Sequence, residues 1–389
     1  MLRLLVLKPL VLKPLVLRPL VLKLLVLMLP FLIPATSNAG IEDDAIEQTD
    51  NAREIRAMGL KPEGTWLPVP IPISNPTIGS GLQVALLYLH PKDNEDSDAP
   101  NSTSAIIGMY TNTETWMAGA FHDGTLSNDR YRYRVMIGTG EFNLDYFGLS
   151  SDSPLQNNPV EYKLASDLLY SQFLRRFPGS EDWYIGLRYM LINSNVEFAE
   201  LFPGAPPISD DMTTSSLGLM TAYDSRDDNY YPASGINFEF VWMRDSETWG
   251  SDFEFDKLDT QYNHYFSLSL KDVLALRAAY SRADEQTPFY LLPSLKMRGF
   301  PNGRYKSENS LSGHIEWRHK FKPRWGLILF SEAGSAAASA SDLLQDETIT
   351  SYGAGIRWQV TKDKKLNLGV DVGYSDDESA VYVQVGEKF

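Results

Sequence analysis

Cysteine is absent from all 389 residues, which excludes disulfides, thiolate metal sites and thiol nucleophiles at once. Histidine is scarce. The five present (His90, His122, His264, His314, His319) never fall at the H-x-x-x-H or H-E-x-x-H spacing of a metalloenzyme. No G-x-S-x-G nucleophile elbow occurs. The acidic run Asp93 to Asp98 has neither the sixth-position glycine nor the twelfth-position acid of a calcium loop. The expectation is a protein with no catalytic residues, no metal and no cofactor, and therefore not an enzyme. Basic residues are also short. Five of the 35 lie in the first 39 residues, leaving 30 against 50 acids, a net charge of -20. Phosphate binding needs clustered Lys and Arg, so a nucleic-acid partner is excluded.

A long uninterrupted apolar run is missing as well. Within residues 5 to 24 the unit Leu-Val-Leu-Lys/Arg-Pro repeats three times before it degenerates, and its recurring charge and proline preclude a spanning helix. The apolar stretch Leu24 to Ile33, followed by Ser37-Asn38-Ala39, reads as a secretory signal peptide, 1–39, cleaved after Ala39. Residues 40–65 form a short acidic segment expected in the periplasm. Pro62, Pro68, Pro70, Pro72 and Pro76 read as an extended lead-in to the first strand.

Alternation of apolar and polar residues fills the remainder. Sixteen strand-like segments are predicted, the first at 81–90 and the last at 379–388, with 129–139 and 141–148 separated by a turn at Gly140. Short connections (112–113, Gly140, 271–272, 321–323, 361–364) alternate with long polar ones, among them 91–102, 192–211 and 283–309. That sorting suits the turns and loops of an outer-membrane barrel. Arg130, Arg132 and Arg134 share one strand face, as do His314, Glu316, Arg318 and Lys320. Charged faces must look into the lumen, since a charge at the bilayer midplane costs ~2–4 kcal/mol. The fold class is all-β, a 16-stranded antiparallel transmembrane β-barrel over 66–389.

The connection 283–309 holds Met297-Arg298-Gly299-Phe300, a fixed charge, a backbone kink and an aromatic anchor. A guanidinium that stays charged at any physiological pH needs a carboxylate partner elsewhere. Phe330-Ser331-Glu332-Ala333-Gly334 lies on the thirteenth segment, and Tyr223-Asp224-Ser225-Arg226-Asp227 precedes Tyr231-Pro232-Ala233-Ser234-Gly235 between the eighth and ninth. The last residue is Phe389, with Val381, Val383 and Val385 sharing a face. These motifs, in this order, resemble the BamA/TamA superfamily of outer-membrane barrels, the bacterial surface-antigen type, with Met297 where the family usually has Val. The resemblance implies that the loop between strands 11 and 12 inserts into the lumen and that Arg298 pairs with Glu332, with Glu316 as second partner. Phe300 and Phe330 would pack beside the pair and Gly299 would permit the turn. Asp224, Arg226, Asp227, Pro232 and Gly235 would stabilise a periplasmic turn, and Phe389 would be an assembly signal read by the barrel-assembly machinery.

By the same resemblance, the protein belongs in the outer membrane of a Gram-negative bacterium, against lipid and lipopolysaccharide, and helps insert, assemble or translocate outer-membrane components. Family machines carry periplasmic POTRA domains, and 40–65 is too short for one, so a separate periplasmic accessory protein is an expected partner. Two alternatives stay open: a gated or passive pore, in which the Arg130–Arg134 stripe favours anions, and a structural surface antigen without transport.

Overall fold

A computed structural model describes residues 65–91, 102–149, 153–198, 208–228, 231–360, 367–375 and 378–389. The signal peptide, the segment ahead of Thr65, the acidic run 93–98 and the turn 361–364 lie outside these residues. The strands are β1 (Thr65–Asn75), β2 (Gly79–Leu89), β3 (Thr103–Thr111), β4 (Trp116–Leu126), β5 (Tyr131–Tyr146), β6 (Val160–Arg176), β7 (Trp183–Phe198) and β8 (Ile208–Asp224). The second half comprises β9 (Gly235–Asp245), β10 (Phe255–Ser267), β11 (Asp272–Ala283), β12 (Asn309–Lys322), β13 (Trp325–Ala337), β14 (Ile349–Gln359), β15 (Asn367–Ser375) and β16 (Glu378–Val385). Each pairs antiparallel with its neighbours in sequence, and β1 meets β16 to close the barrel. Closure gives every strand a neighbour on both sides, as a lipid surrounding requires.

The strand number matches expectation through two compensating differences. The proline-rich lead-in is itself strand β1, with Val69, Ile71 and Ile73 buried and Trp66, Pro68, Pro70 and Pro72 exposed on the alternate face. Gly140 is no turn. It lies within β5, opposite Met117 of β4, because a single glycine inside a strand weakens pairing without ending it. The shift moves the connection 90–102 to the rim where β16 ends, and 112–115 to the opposite rim. Loop lengths therefore sort by rim less cleanly near β1 to β4 than the sequence suggested.

Alternation decides which residues face out. Val84, Leu86, Ile106, Ile137, Leu187, Leu219, Leu329, Ile356 and Val370 are exposed large apolar residues on strands, forming a band that a bilayer would cover. Trp66, Tyr110, Trp116, Trp183, Trp325 and Trp358, all at or near strand ends, are exposed as interfacial aromatics. The inner face is of two kinds. From β1 to β8 the inward residues are mostly apolar, including Ile71, Leu87, Ile107, Met117, Phe142, Leu164 and Ile192, and they pack as one core with Tyr290 and Leu291 of the 284–308 loop. Charge is concentrated inside β11 to β16.

The stripe Arg130–Arg134 is likewise not a free cationic surface. Arg134 Nε donates to Asp123 at 2.8 Å, and Arg132 grips Asp129 through Nε at 2.7 Å and Nη2 at 2.6 Å. Arg176 and Tyr184 also donate to Asp129, at 3.2 and 2.8 Å. Ser127, Asn128 and Asp129 all have positive φ (54, 59 and 61°). Three consecutive left-handed residues other than glycine are strained, and this clamp holds them. Arg130 lies exposed in the same turn.

Ile137 sits in the middle of β5 with its side chain 58% exposed. Ile137→Arg is expected to destabilise the barrel by ~2–4 kcal/mol in bilayers, read as an earlier urea midpoint of the heat-modifiable gel shift. Asp129 supplies a pH test. Burial alone would raise its carboxyl, but Arg132, Tyr184 and Arg176 together hold it below the usual carboxylate range. A depressed carboxylate stabilises the fold above its unfolded value, about 3.9, and that contribution is lost as pH falls through the folded value. Asp129→Asn should therefore flatten the acid limb of the stability curve below about pH 4; an unchanged limb would show that the clamp contributes nothing.

Candidate functional site: an arginine network inside the barrel

The 284–308 connection begins against β5 to β7, where Phe289 meets the rings of Tyr146, Tyr162 and Phe198 at 5.1, 5.3 and 5.9 Å. Further along, it reaches β12, β13, β15 and β16. A segment touching both walls crosses the interior. Leu295, Met297 and Phe300 bury themselves with Ile349, and the Ser294–Lys306 bridge closes the tip as a short hairpin. Gly299 has φ 116°, and a Cβ there would stand 3.0 Å from the Tyr374 carbonyl carbon. Only glycine fits both the conformation and the space.

Arg298 is fully buried. Its backbone N–H donates to Glu332 Oε2 at 2.6 Å and its Nε to Glu332 Oε1 at 2.8 Å. Nη2 lies 2.8 Å from the same Oε1, close enough for charge but off line for a hydrogen bond. Nη1 donates to Glu316 at 2.8 Å and to Asp371 at 3.0 Å. The guanidinium carbon stands 3.4 Å from the centre of the Phe330 ring, a cation–π contact in a dry site. Tyr382 of β16 accepts from the Gly299 N–H at 2.9 Å and donates to the Phe300 carbonyl at 3.3 Å.

The network continues past this pair. Arg318 Nε donates to Glu316 at 2.8 Å, its Nη2 to the Phe389 carbonyl, and its Nη1 to the Pro232 carbonyl at 3.5 Å. Arg357 bonds Asp371 through Nη1 and, at 3.1 Å, through Nη2, while its Nε reaches Glu387 at 2.9 Å. Three guanidinium groups thus face four carboxylates, Glu316, Glu332, Asp371 and Glu387. His314 Nδ1 lies 3.2 Å from Glu332, and Ser351 donates to it at 3.2 Å. Small residues on β14 and β15 make the room: a Cβ at Gly353 would meet Phe330 at 2.4 Å, and one at Gly369 would meet Arg357 at 2.6 Å.

The 225–234 turn is built as a separate unit. Arg226 takes Asp224 with Nε and Nη2, both at 2.8 Å. Asp227 Oδ1 accepts the N–H groups of Ala233 and Ser234 at 2.8 and 3.0 Å. Gly235 has φ 102°, with a would-be Cβ only 2.2 Å from the Ser225 carbonyl. Pro232, through its carbonyl, and Tyr231, whose ring centre lies 4.1 Å from Lys320 Nζ, connect this turn to β12. One chain of contacts therefore runs from the loop of one rim, through Arg298, Glu316 and Arg318, to a turn of the other.

Phe389 departs from the expected place. β16 ends at Val385, Gly386 takes φ 87°, and the chain turns inward. The Phe389 ring packs on Tyr265 and Ala275, 5.8 Å from the His314 ring, instead of continuing the Val381–Val385 face. Glu387, on the same inward turn, is the partner of Arg357. Asp371, Arg357 and Tyr382 were missed because they carry no motif. The alternation of β14 to β16 placed them inward, but nothing in the sequence said what they would meet.

These features define a class: a sixteen-stranded barrel with an apolar belt, plugged and braced by one long loop whose arginine is buried among carboxylates. The sequence matches the Omp85 superfamily domain over residues 177–387, more than half of the chain. The chain belongs to the Omp85 superfamily. No match was found among curated protein sequences. Among solved structures the fold is similar to BamA from Haemophilus ducreyi lacking POTRA domains 1–3, with a TM-score of 0.55 and 12% identity, covering 81% of this chain and 69% of that one. It is also similar to CdiB from Acinetobacter baumannii (TM-score 0.54, 13% identity, 84% of this chain, 60% of that one). CdiB from Escherichia coli gives a TM-score of 0.53 at 12% identity, over 85% and 68%. The chain spans less than two thirds of the Acinetobacter protein, and at these identities the likeness is one of fold.

Arg298→Ala would leave three buried carboxylates facing one another. It is expected to cost ~3–5 kcal/mol, measured as the urea midpoint of the gel shift. Arg298→Lys should recover only part, because one ammonium cannot present the planar fork that serves Glu332, Glu316 and Asp371 together. Full recovery by Lys would mean that charge alone matters.

Proposed function

We propose that this protein is an outer-membrane barrel of a Gram-negative bacterium, exported by the 1–39 signal, that helps insert, assemble or translocate other outer-membrane components. The observation that carries this reading is the seam. β1 and β16 share a single registered residue pair, Ser74 with Val383, whereas every other neighbouring pair shares eight or more. Strand pairing in a membrane is the only source of backbone hydrogen bonds, so a wall with one weak joint opens there first. The braced loop and the Arg298 network hold the rest of the wall while that joint yields.

On this reading the rim bearing the 225–234 turn and the end of β16 faces the periplasm, and the 284–308 loop enters from outside. Lipid and lipopolysaccharide surround the apolar band, the barrel-assembly machinery inserts the chain itself, and a periplasmic accessory protein delivers clients. Against the pore alternative weigh the packed apolar interior of β1 to β8 and the pairing of Arg132 and Arg134 with Asp129 and Asp123.

The test is the folding rate of a urea-unfolded outer-membrane barrel into liposomes carrying this purified protein, compared with liposomes carrying an unrelated porin. Acceleration specific to this protein is the expected result. Equal rates, with and without periplasmic extract, would remove the insertion reading and leave the structural surface antigen.

A further inference from the structure

β1 is the strand whose sequence argues hardest against being a strand, and its prolines fall on one parity: 68, 70, 72 and, just past its end, 76. The hairpin tells which way that parity points. Ser80 of β2 turns its backbone to β3: its carbonyl accepts the Asn112 N–H at 2.8 Å and its N–H goes to Asn112 Oδ1 at 2.7 Å. Ser80 is registered with Ser74. Ser74 and every second residue before it therefore point their backbone groups away from β2, toward β16. Proline has no N–H. From Pro68 to Pro76, the only residue that keeps a donor on the seam side is Ser74, and the one registered pair of the seam, Ser74 with Val383, falls on it.

Extending that register places Pro72 opposite Val385, Pro70 opposite Glu387 and Pro68 opposite Phe389. β16 has ended by then, and Gly386 has turned Glu387 and Phe389 inward to Arg357 and Arg318. On the other side, Pro76 would stand opposite Val381. The Val381 carbonyl accepts the Ser74 hydroxyl instead, at 3.3 Å. The β16 edge is of the opposite character. Gly386 N–H goes to the Asn367 carbonyl of β15, so the backbones of Val381, Val383 and Val385 face the seam, and none of them is a proline.

We propose that the two edges of the seam are chemically unequal: β1 is barred to strand addition by its own prolines, and β16 is the edge on which an incoming β-strand pairs. A strand laid on β1 could donate to the carbonyls of Pro68, Pro70 and Pro72, but its own carbonyls there would find no donor in a layer without water. A strand laid on β16 finds both groups at each seam-facing residue. Prolines on an edge strand are a known means of refusing such pairing, and adding a strand to an open edge is a recurring mode of recognition. The proposal rests on the insertion reading above and specifies which edge does the work.

The experiment uses the full chain in liposomes, with benzoylphenylalanine in place of Trp66 on β1 or of Val381 on β16. Both side chains point outward, 60% and 49% exposed, and both variants keep every proline. A urea-unfolded eight-stranded outer-membrane barrel is the probe, irradiated while it folds. Adducts at position 381 should exceed those at 66 by at least about tenfold, the worth of one or two hydrogen bonds. In a Pro68→Val, Pro70→Val, Pro72→Val background, which returns three donors to the edge, adducts at 66 should rise toward those at 381. Equal or greater adducts at 66 with the prolines intact overturn the proposal, as does the absence of adducts at both positions. The folding rate of the probe in the same liposomes decides the insertion reading separately, so the two fail distinguishably.

Discussion

A single buried guanidinium organises half of this molecule. Arg298 has no solvent to stabilise it, and desolvating one charge without partners costs more than a domain's whole margin of stability. The structure meets that demand with carboxylates from three strands, β12, β13 and β15, together with the Phe330 ring. Each acid is held in turn by another cation or hydroxyl. Glu316 also takes Arg318, Asp371 takes Arg357, and Glu332 takes His314 and Ser351. The small residues of β14 and β15 and the left-handed Gly299 are consequences of the same demand, since they are where the loop and its charge need room.

The other half is held differently. Inside β1 to β8 the wall is lined with apolar side chains that pack as an ordinary core, with the first part of the crossing loop among them. The loop therefore plugs one side of the barrel by apolar packing and the other by charge. It spans the two and couples the rims through Glu316, Arg318 and the 225–234 turn. The wall is weakest in its strand pairing at the joint of β1 with β16, which has one registered pair, and there the missing donors trace to the prolines of β1.

Much of this was legible in the sequence, for identifiable reasons. Alternation marks strands because successive side chains point to opposite faces, and it put Glu316 on a charged, inward face, while Arg298 was marked by its loop motif and Glu332 by the family resemblance. The turn chemistry of Asp224 to Gly235 was equally local. What misled was also local. Prolines at 68, 70 and 72 read as a lead-in because proline usually breaks strands, yet their common parity is what an edge strand tolerates. Gly140 read as a turn because glycine usually makes one. Arg132 and Arg134 read as an open cationic face because their acids, Asp129 and Asp123, come from a turn and from the neighbouring strand.

The order of residues alone dictates the strand pattern, the apolar belt and the charges that had to be hidden. These are properties of single residues and their immediate neighbours. That Asp371 would share Arg298, that Phe389 would turn inward from Gly386, and that one network would join both rims were settled by the folded barrel. Those contacts link residues far apart in the chain: Arg318 and Pro232 are separated by 86 positions, and Phe389 packs on Tyr265 of β10. Barrel closure and register set them, and no local pattern encodes either.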